Sequence, residues 1–119
     1  MQYLLMLTYR PGEGPEEGTP EFAAEMQRWG QLNADMREAG VMVGAAGLHP
    51  DATTTVRTAG GEVTITDGPY AETKEILFSF YLIDVPDLDA ATAWAAKMPA
   101  TEYESVEVRP TAHGGFEPA

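Results

Sequence analysis

The pattern of apolar and polar residues predicts a chain that mixes strands with helices. Residues 2–9 are rich in Leu, Met and Tyr with little alternation, which is typical of a strand buried on both faces. Residues 76–85 form the most hydrophobic run, and we expect that strand at the centre of the sheet. Further short strands are predicted at residues 41–48, 53–58, 62–66 and 105–109, with a hairpin turn at residues 59–61.

Capping residues and periodicity predict the first helix. Thr19 is suited to the N-cap, Pro20 to the first helical position, and Gly40 to the end of the helix. Between them, five large apolar residues recur on one helical face: Phe22, Met26, Trp29, Leu32 and Met36. A stripe of this kind would suit a cofactor-binding wall, but it is far more often core, and we assign it to the core.

A second helix is predicted from Asp87 as its N-cap to about Met98, where Pro99 stops it. Its predicted apolar face comprises Leu88, Ala91, Ala95 and Met98. The elements follow a ferredoxin-like βαββαβ plan with an additional hairpin strand, so the predicted class is α+β. With both helices on one face, the other face of the sheet needs a cover. A second copy would supply it, which predicts a homodimer, a dimeric α/β-barrel.

Composition narrows the classes of function. Nineteen acidic residues against seven basic ones give a formal net charge of -12, which disfavours direct nucleic-acid binding and docking on anionic membranes. The absence of cysteine removes disulfides, thiolate nucleophiles and sulfur-ligated metals. No apolar run approaches the ~20 residues needed to span a bilayer. We expect a cytoplasmic single domain at residues 1–110 with a tail at 111–119, and no cofactor or metal.

Residues 67–75 carry a family resemblance. Asp67-Gly68-Pro69-Tyr70-Ala71-Glu72-Thr73-Lys74-Glu75 resembles the DGPF motif, the signature of a subgroup of the YCII-related domain family. The similarity continues in order and spacing at residues 81–84, 88–91 and 106–110. The resemblance implies a ferredoxin-like dimeric α+β barrel, in agreement with the plan above.

The resemblance implies less about function. Some members of the broader family look like small enzymes acting on ring compounds, with a His–Asp pair as the site, and DGPF members are associated with alternative sigma factors. The His is expected near the start of the first helix, yet residues 19–26 contain none. The Asp is expected after the second helix, where Met98-Pro99-Ala100 stands. Phe78-Ser79 stands where the subgroup commonly has small glycines, and we expect Phe78 to fill part of any ligand space that those glycines leave.

The motif also concentrates candidate chemistry. Glu72, Lys74 and Glu75 put acids beside a base, an arrangement that suits proton transfer. Lys74 would either poise Glu72 or anchor an anionic substrate, but a solvated ion pair is an equally good interpretation. Asp67 and Gly68 are expected to fix a turn.

Other residues are weaker candidates for a turn or pocket. Pro69 and Tyr70 complete the motif's turn, and Tyr9, Tyr70 and Tyr81 are candidate pocket residues with polar tips. His49 is a candidate acid or base, although a lone His beside Pro is usually exposed. Arg57 would pair with a substrate carboxylate or, more often, with a surface acid.

Three functions stay open at this point. Our first hypothesis is a small dimeric ligand-binding or regulatory domain, because the His–Asp pair is missing and no phosphate loop, nucleophile elbow or zinc motif is present. The second is a cofactor-independent lyase or isomerase acting on a small cyclic or aromatic compound. The third, an interaction partner in sigma-factor-associated transcription regulation, rests on the family association alone.

Overall fold

The computed structural model describes residues 1–49, 52–68 and 75–112. Its elements are β1 (Gln2–Tyr9), α1 (Pro20–Glu38), β2 (Met42–Gly47), β3 (Thr54–Ala59), β4 (Glu62–Asp67), β5 (Ile76–Asp84), α2 (Leu88–Ala95), a short 3-10 helix (Pro99–Glu102) and β6 (Val106–Pro110). Four strands form an antiparallel sheet in the order β2-β5-β1-β6, with β1 and β5 at the centre. The mixed α+β class and the central position of β5 are confirmed, and the four strands with α1 and α2 follow the ferredoxin-like plan.

The hairpin departs from the prediction of one additional strand. Both β3 and β4 are extra, and they pair only with each other in a separate two-stranded sheet. Gly60 and Gly61 both have positive φ, at 59° and 82°, as a tight two-residue hairpin turn of the I′ class requires. The alternating pattern of β3 and β4 correctly predicts two strands. Such a pattern by itself does not specify which strand lies alongside, and here the two strands pair only with each other.

The two faces of the four-stranded sheet differ in burial. The helix-facing side supplies the core residues Tyr3, Leu5, Leu7, Tyr81 and Ile83, all buried. The opposite side presents Leu4 and Met6 directly across from Leu82 and Phe80, all four partly exposed. The prediction that residues 2–9 are buried on both faces is therefore wrong for the single chain, because the helices cover only one face.

Both predicted helix starts are confirmed. The side chain of Thr19 accepts a hydrogen bond from the backbone N–H of Phe22 at 3.2 Å, and that of Asp87 accepts one from Ala90 at 2.9 Å. Gly40, at φ 71°, follows the end of α1. Among the described residues, no helix is long and apolar enough to cross a membrane.

The end of α2 was predicted too late. The helix ends at Ala95, and Met98 has an extended ψ of 127° because the residue before a proline avoids the helical region. Met98 is nevertheless buried, whereas Leu88, assigned to the apolar face, is half exposed. The 3-10 helix that starts at Pro99 then directs the chain back toward α1 and brings Tyr103 to that helix.

Candidate ligand-binding site

The first two residues of the 67–75 motif, Asp67 and Gly68, lie at the base of the hairpin. Gly68 has a φ of 92°, and its N–H donates to the carbonyl of Thr53 at 2.8 Å. The hydroxyl of Thr55 donates to the carbonyl of Gly68, so both backbone groups of Gly68 are bonded to residues at the start of the hairpin. Asp67 is exposed at the end of β4. Pro69, Tyr70, Glu72 and Lys74 lie outside the described residues, and their roles stay predictions.

The remaining candidates are dispersed over the surface. Glu75 is about half exposed and forms an ion pair with Arg10, with 3.3 Å between Nη2 and Oε1. His49 is exposed after β2, and Arg57 is exposed on β3. None of these three residues lines either of the two cavities described next, and neither do Asp67 and Gly68. Their assignment to a functional site therefore stays a prediction.

A cavity of about 280 Å³ opens between the first half of α1, the loop after β1 and the last turn before β6. Its walls are formed by Tyr9, Glu13, Gly14, Pro15, Phe22, Glu25, Met26, Trp29, Leu48, Phe78 and Tyr103. A second cavity of about 190 Å³ shares Met26, Trp29 and Phe78 with the first and continues to Tyr81. The two form one cleft along the α1 side of the sheet.

Aromatic rings dominate this cleft. Phe78 packs edge-on against Tyr9, with ring centroids 5.4 Å apart and planes at 75°. Trp29 stacks on Tyr81 at 6.3 Å and 10°, and the hydroxyl of Tyr81 donates to Asn33 at 2.8 Å. Both geometries are those that aromatic pairs prefer. Phe78 thus forms part of the cavity wall.

The apolar stripe of α1 divides between the core and this cleft. Leu32 and Met36 are buried in the core, as predicted. Phe22 and Met26 line the cavity instead, with Met26 42% exposed, and Trp29 both lines the cavity and packs against the core. Assigning the whole stripe to the core was therefore wrong for its first half, because helical spacing reports which face is apolar and not what covers that face.

One end of the cavity is polar. The hydroxyl of Tyr103 donates to Oε2 of Glu25 at 3.2 Å. Gly14, at φ 78°, lies against the phenol ring, and a Cβ there would stand 3.0 Å from Cζ of Tyr103. Burial, followed by the charges of Glu25, Glu102 and Glu13, raises the pKa of Tyr103 to about 12. Tyr103 is therefore protonated at neutral pH and acts as a donor.

The charges around this end are predominantly negative. Glu13 lines the cavity and accepts a hydrogen bond from the backbone N–H of Arg10 at 2.8 Å. The pKa of the Glu104 carboxyl is lowered, first by a hydrogen bond from the backbone N–H of Ser105. A side-chain hydrogen bond with Glu13 and the positive charge of Arg10 lower it further. The Arg10 side chain lies between Glu75 and Glu104, with 3.8 Å between its Nε and Oε2 of Glu104. No described residue lining the cavity is Lys or Arg.

Arg28 is the second guanidinium near this region, and it forms an ion pair with Glu102. Both guanidinium groups are thus paired with carboxylates outside the cavity wall, while Glu13 and Glu25 form the acidic part of the wall. Within the described ranges, no group of three or more His, Asp or Glu residues is placed to hold a metal ion.

Sequence reasoning missed Glu25 and Tyr103. They are 78 positions apart, and only the 3-10 turn after α2 brings them together. Neither residue fits the His–Asp pattern that the resemblance implies, and Tyr103 lies beyond Met98-Pro99-Ala100, where the Asp is expected. That pattern therefore does not indicate them.

Comparison with known proteins assigns the family. The profile of the YCII-related domain matches residues 1–112. This chain belongs to the YCII-related domain family. An uncharacterized protein of Rhizobium meliloti (strain 1021) is 46% identical over 80 residues, and the match spans 63% of this chain and 63% of that protein.

Among solved structures, this YCII-related domain resembles 5-chloro-2-hydroxyhydroquinone dehydrochlorinase from Burkholderia phenoliruptrix AC1100. The TM-score is 0.51, the sequence identity is 14%, and the alignment covers 96% of each chain. At that identity the likeness concerns the fold, and it extends over nearly the whole chain.

Proposed function

We propose that this YCII-related domain binds a small ring compound in the cleft between α1 and the sheet. The observation that carries the proposal is the cavity of about 280 Å³ whose walls are aromatic and whose one end is polar. Small-molecule sites usually combine apolar and aromatic walls with a few placed polar groups. We place the ring in the part of the cavity that Phe22 and Phe78 line, with its polar substituent toward the hydrogen-bonded pair of Tyr103 and Glu25.

The structural neighbour supports the same class of ligand. The Burkholderia enzyme is described in complex with 2,5-dihydroxybenzoquinone, a substituted six-membered ring. The likeness concerns the fold, so the identity of the ring compound bound here rests on the cavity itself. We also keep the assignment to the DGPF subgroup as a proposal that rests on residues 67–75.

A neutral ring compound tests the proposal. We expect saturable binding of 1,4-dihydroxybenzene by isothermal titration calorimetry. Phe22→Ala should weaken it roughly two- to tenfold, because an aromatic contact contributes ~0.5–1.5 kcal/mol. Leu88→Ala is the control, since Leu88 is half exposed and does not line the cavity. Absence of binding to the wild type, or equal weakening by both changes, would reject the cavity as the site.

We further propose that the domain is a homodimer, with the uncovered face of the sheet as the interface. Leu4, Met6, Phe80 and Leu82 form an apolar patch on that face. Covering it removes apolar surface from water, which favours association. Leu82→Glu should produce a monomer in sedimentation velocity, whereas Leu88→Glu should not. A wild type that is monomeric at micromolar concentration would contradict the proposal.

The second candidate is a cofactor-independent lyase or isomerase. The observation in its favour is the hydrogen bond between Tyr103 and Glu25 beside the cavity, which places a proton donor and an acceptor within reach of a bound ring. It predicts turnover of a cyclic substrate that is lost in both Glu25→Gln and Tyr103→Phe. If a ring compound binds but neither it nor its close analogues are converted, the ligand-binding interpretation stands alone.

A further inference from the structure

The charge inside the cleft specifies its ligand more narrowly than ring shape does. We infer that the cavity selects a ring compound carrying a positive charge, an arylalkylammonium ion, with Glu25 as its counter-ion. This inference rests on the proposed function of the same site and names the ligand class.

The aromatic walls favour a cation. The face of an aromatic ring carries negative charge density, and a cation within about 6 Å of it is attracted, most strongly when water is excluded. Phe22 and Trp29 project from α1 into the cavity, and Phe78 and Tyr9 form the wall on the sheet side. A ring with an attached ammonium group can stack on one wall and place its charge against another.

The polar end supplies the counter-charge. Glu25 accepts one hydrogen bond, from Tyr103 to Oε2, and an ionised carboxylate has room for several donors. Glu13 adds a second carboxylate to the wall, with Oε1 already accepting from the backbone of Arg10. Hydrogen bonds between an ammonium group and a carboxylate are about twice as strong as those between neutral groups.

An anionic ligand has no comparable partner. Arg10 is paired with Glu75 and Glu104, and Arg28 is paired with Glu102. No lysine or arginine lies among the described lining residues. The whole chain adds a repulsive field, because its formal net charge is -12.

Three probes of similar shape separate the contribution of charge to the affinity from that of the ring. They are 2-phenylethylammonium, 2-phenylethanol and phenylacetate. We expect calorimetric titration of the full chain to show the ammonium ion binding about tenfold more tightly than the alcohol, with phenylacetate weakest. Glu25→Gln should abolish this preference while changing the affinity for the alcohol less than about twofold. The Gln oxygen still accepts the Tyr103 hydrogen bond, so this substitution removes charge and leaves the wall in place.

The matched control is Glu21→Gln. Glu21 lies in the first turn of the same helix, is exposed and does not line the cavity, and its substitution changes the net charge by the same amount. It should leave the preference intact. Equal affinity for the ammonium ion and the alcohol, or equal effects of the two substitutions, would overturn the inference while ring binding stands. Failure of all three probes to bind would overturn the proposed function together with the inference.

Discussion

The two halves of the α1 stripe have the same spacing and similar side chains but different surroundings. Leu32 and Met36, in the second half, are 5% and 0% exposed and belong to the core. Phe22 and Met26, in the first half, border a cavity, and Met26 is 42% exposed. One periodic pattern therefore supports both stability and a binding surface, and the boundary between the two lies near Trp29.

The difference arises from what packs above each half. The second half lies over the buried side chains of β1 and β5. The first half faces the loop after β1 and Tyr103, and a cavity remains between them although the Tyr103 hydroxyl reaches Glu25. Sequence periodicity identifies the apolar face of a helix, whereas loops and turns decide whether that face is filled or left open.

Matched substitutions of the two methionines test this contrast most directly. Met36→Ala should lower the free energy of unfolding by about 2–5 kcal/mol, because it leaves a cavity in a closely packed core. Met26→Ala should cost less than ~1 kcal/mol, since that side chain is already in contact with solvent. Urea denaturation of both variants measures the difference. Equal losses would show that the first half of the stripe is also core.

A glycine pair tests whether the loop is fitted to Tyr103. Gly14→Ala should destabilise the domain by about 1–3 kcal/mol, because it combines a positive φ of 78° with a Cβ placed 3.0 Å from the phenol ring. Gly12, at φ 89°, has nothing within 4 Å of such a Cβ, so Gly12→Ala carries the backbone strain alone. The excess loss for Gly14→Ala in thermal denaturation measures the contact. No excess would mean that the ring moves freely.

The smallest expected effect concerns alkaline pH. The pKa of Tyr103 is raised to about 12 in the folded protein, above the ordinary value of 10.0. Between these values the unfolded chain has lost a proton that the folded protein keeps, so the free energy of unfolding falls as pH rises. Tyr103→Phe should show a smaller fall between about pH 10 and pH 12 in urea denaturation. An unchanged pH dependence would contradict the described environment of Tyr103.

The fold was largely predictable because its signals are local. Thr19 with Pro20 and Asp87 mark the helix starts through hydrogen bonds to residues three positions away. The apolar run of β5 identified a central strand. The separate sheet of β3 and β4 was not predictable, because strand partners depend on contacts distant in sequence.

The cavity was harder to foresee than the fold. Glu25 resembles any other acid on the exposed part of a helix, and Tyr103 follows a turn with no strong pattern of its own. Their hydrogen bond exists only because the 3-10 turn after α2 faces the first half of α1. The functional prediction fell on residues 67–75 because that segment is rich in charge. The larger of the two cavities is instead lined by residues that only tertiary contacts bring together.

The β3–β4 hairpin has a consequence for how the molecule opens. It contacts the other described elements only sparsely, and Val56, Val63 and Ile65 are each more than 60% exposed on one of its faces. An isolated two-stranded hairpin is only marginally stable in water. In the single chain, its amide hydrogens should therefore exchange through local opening, while those of β1 and β5 exchange only when the domain unfolds. Native-state hydrogen exchange would then resolve two cooperative units within one chain.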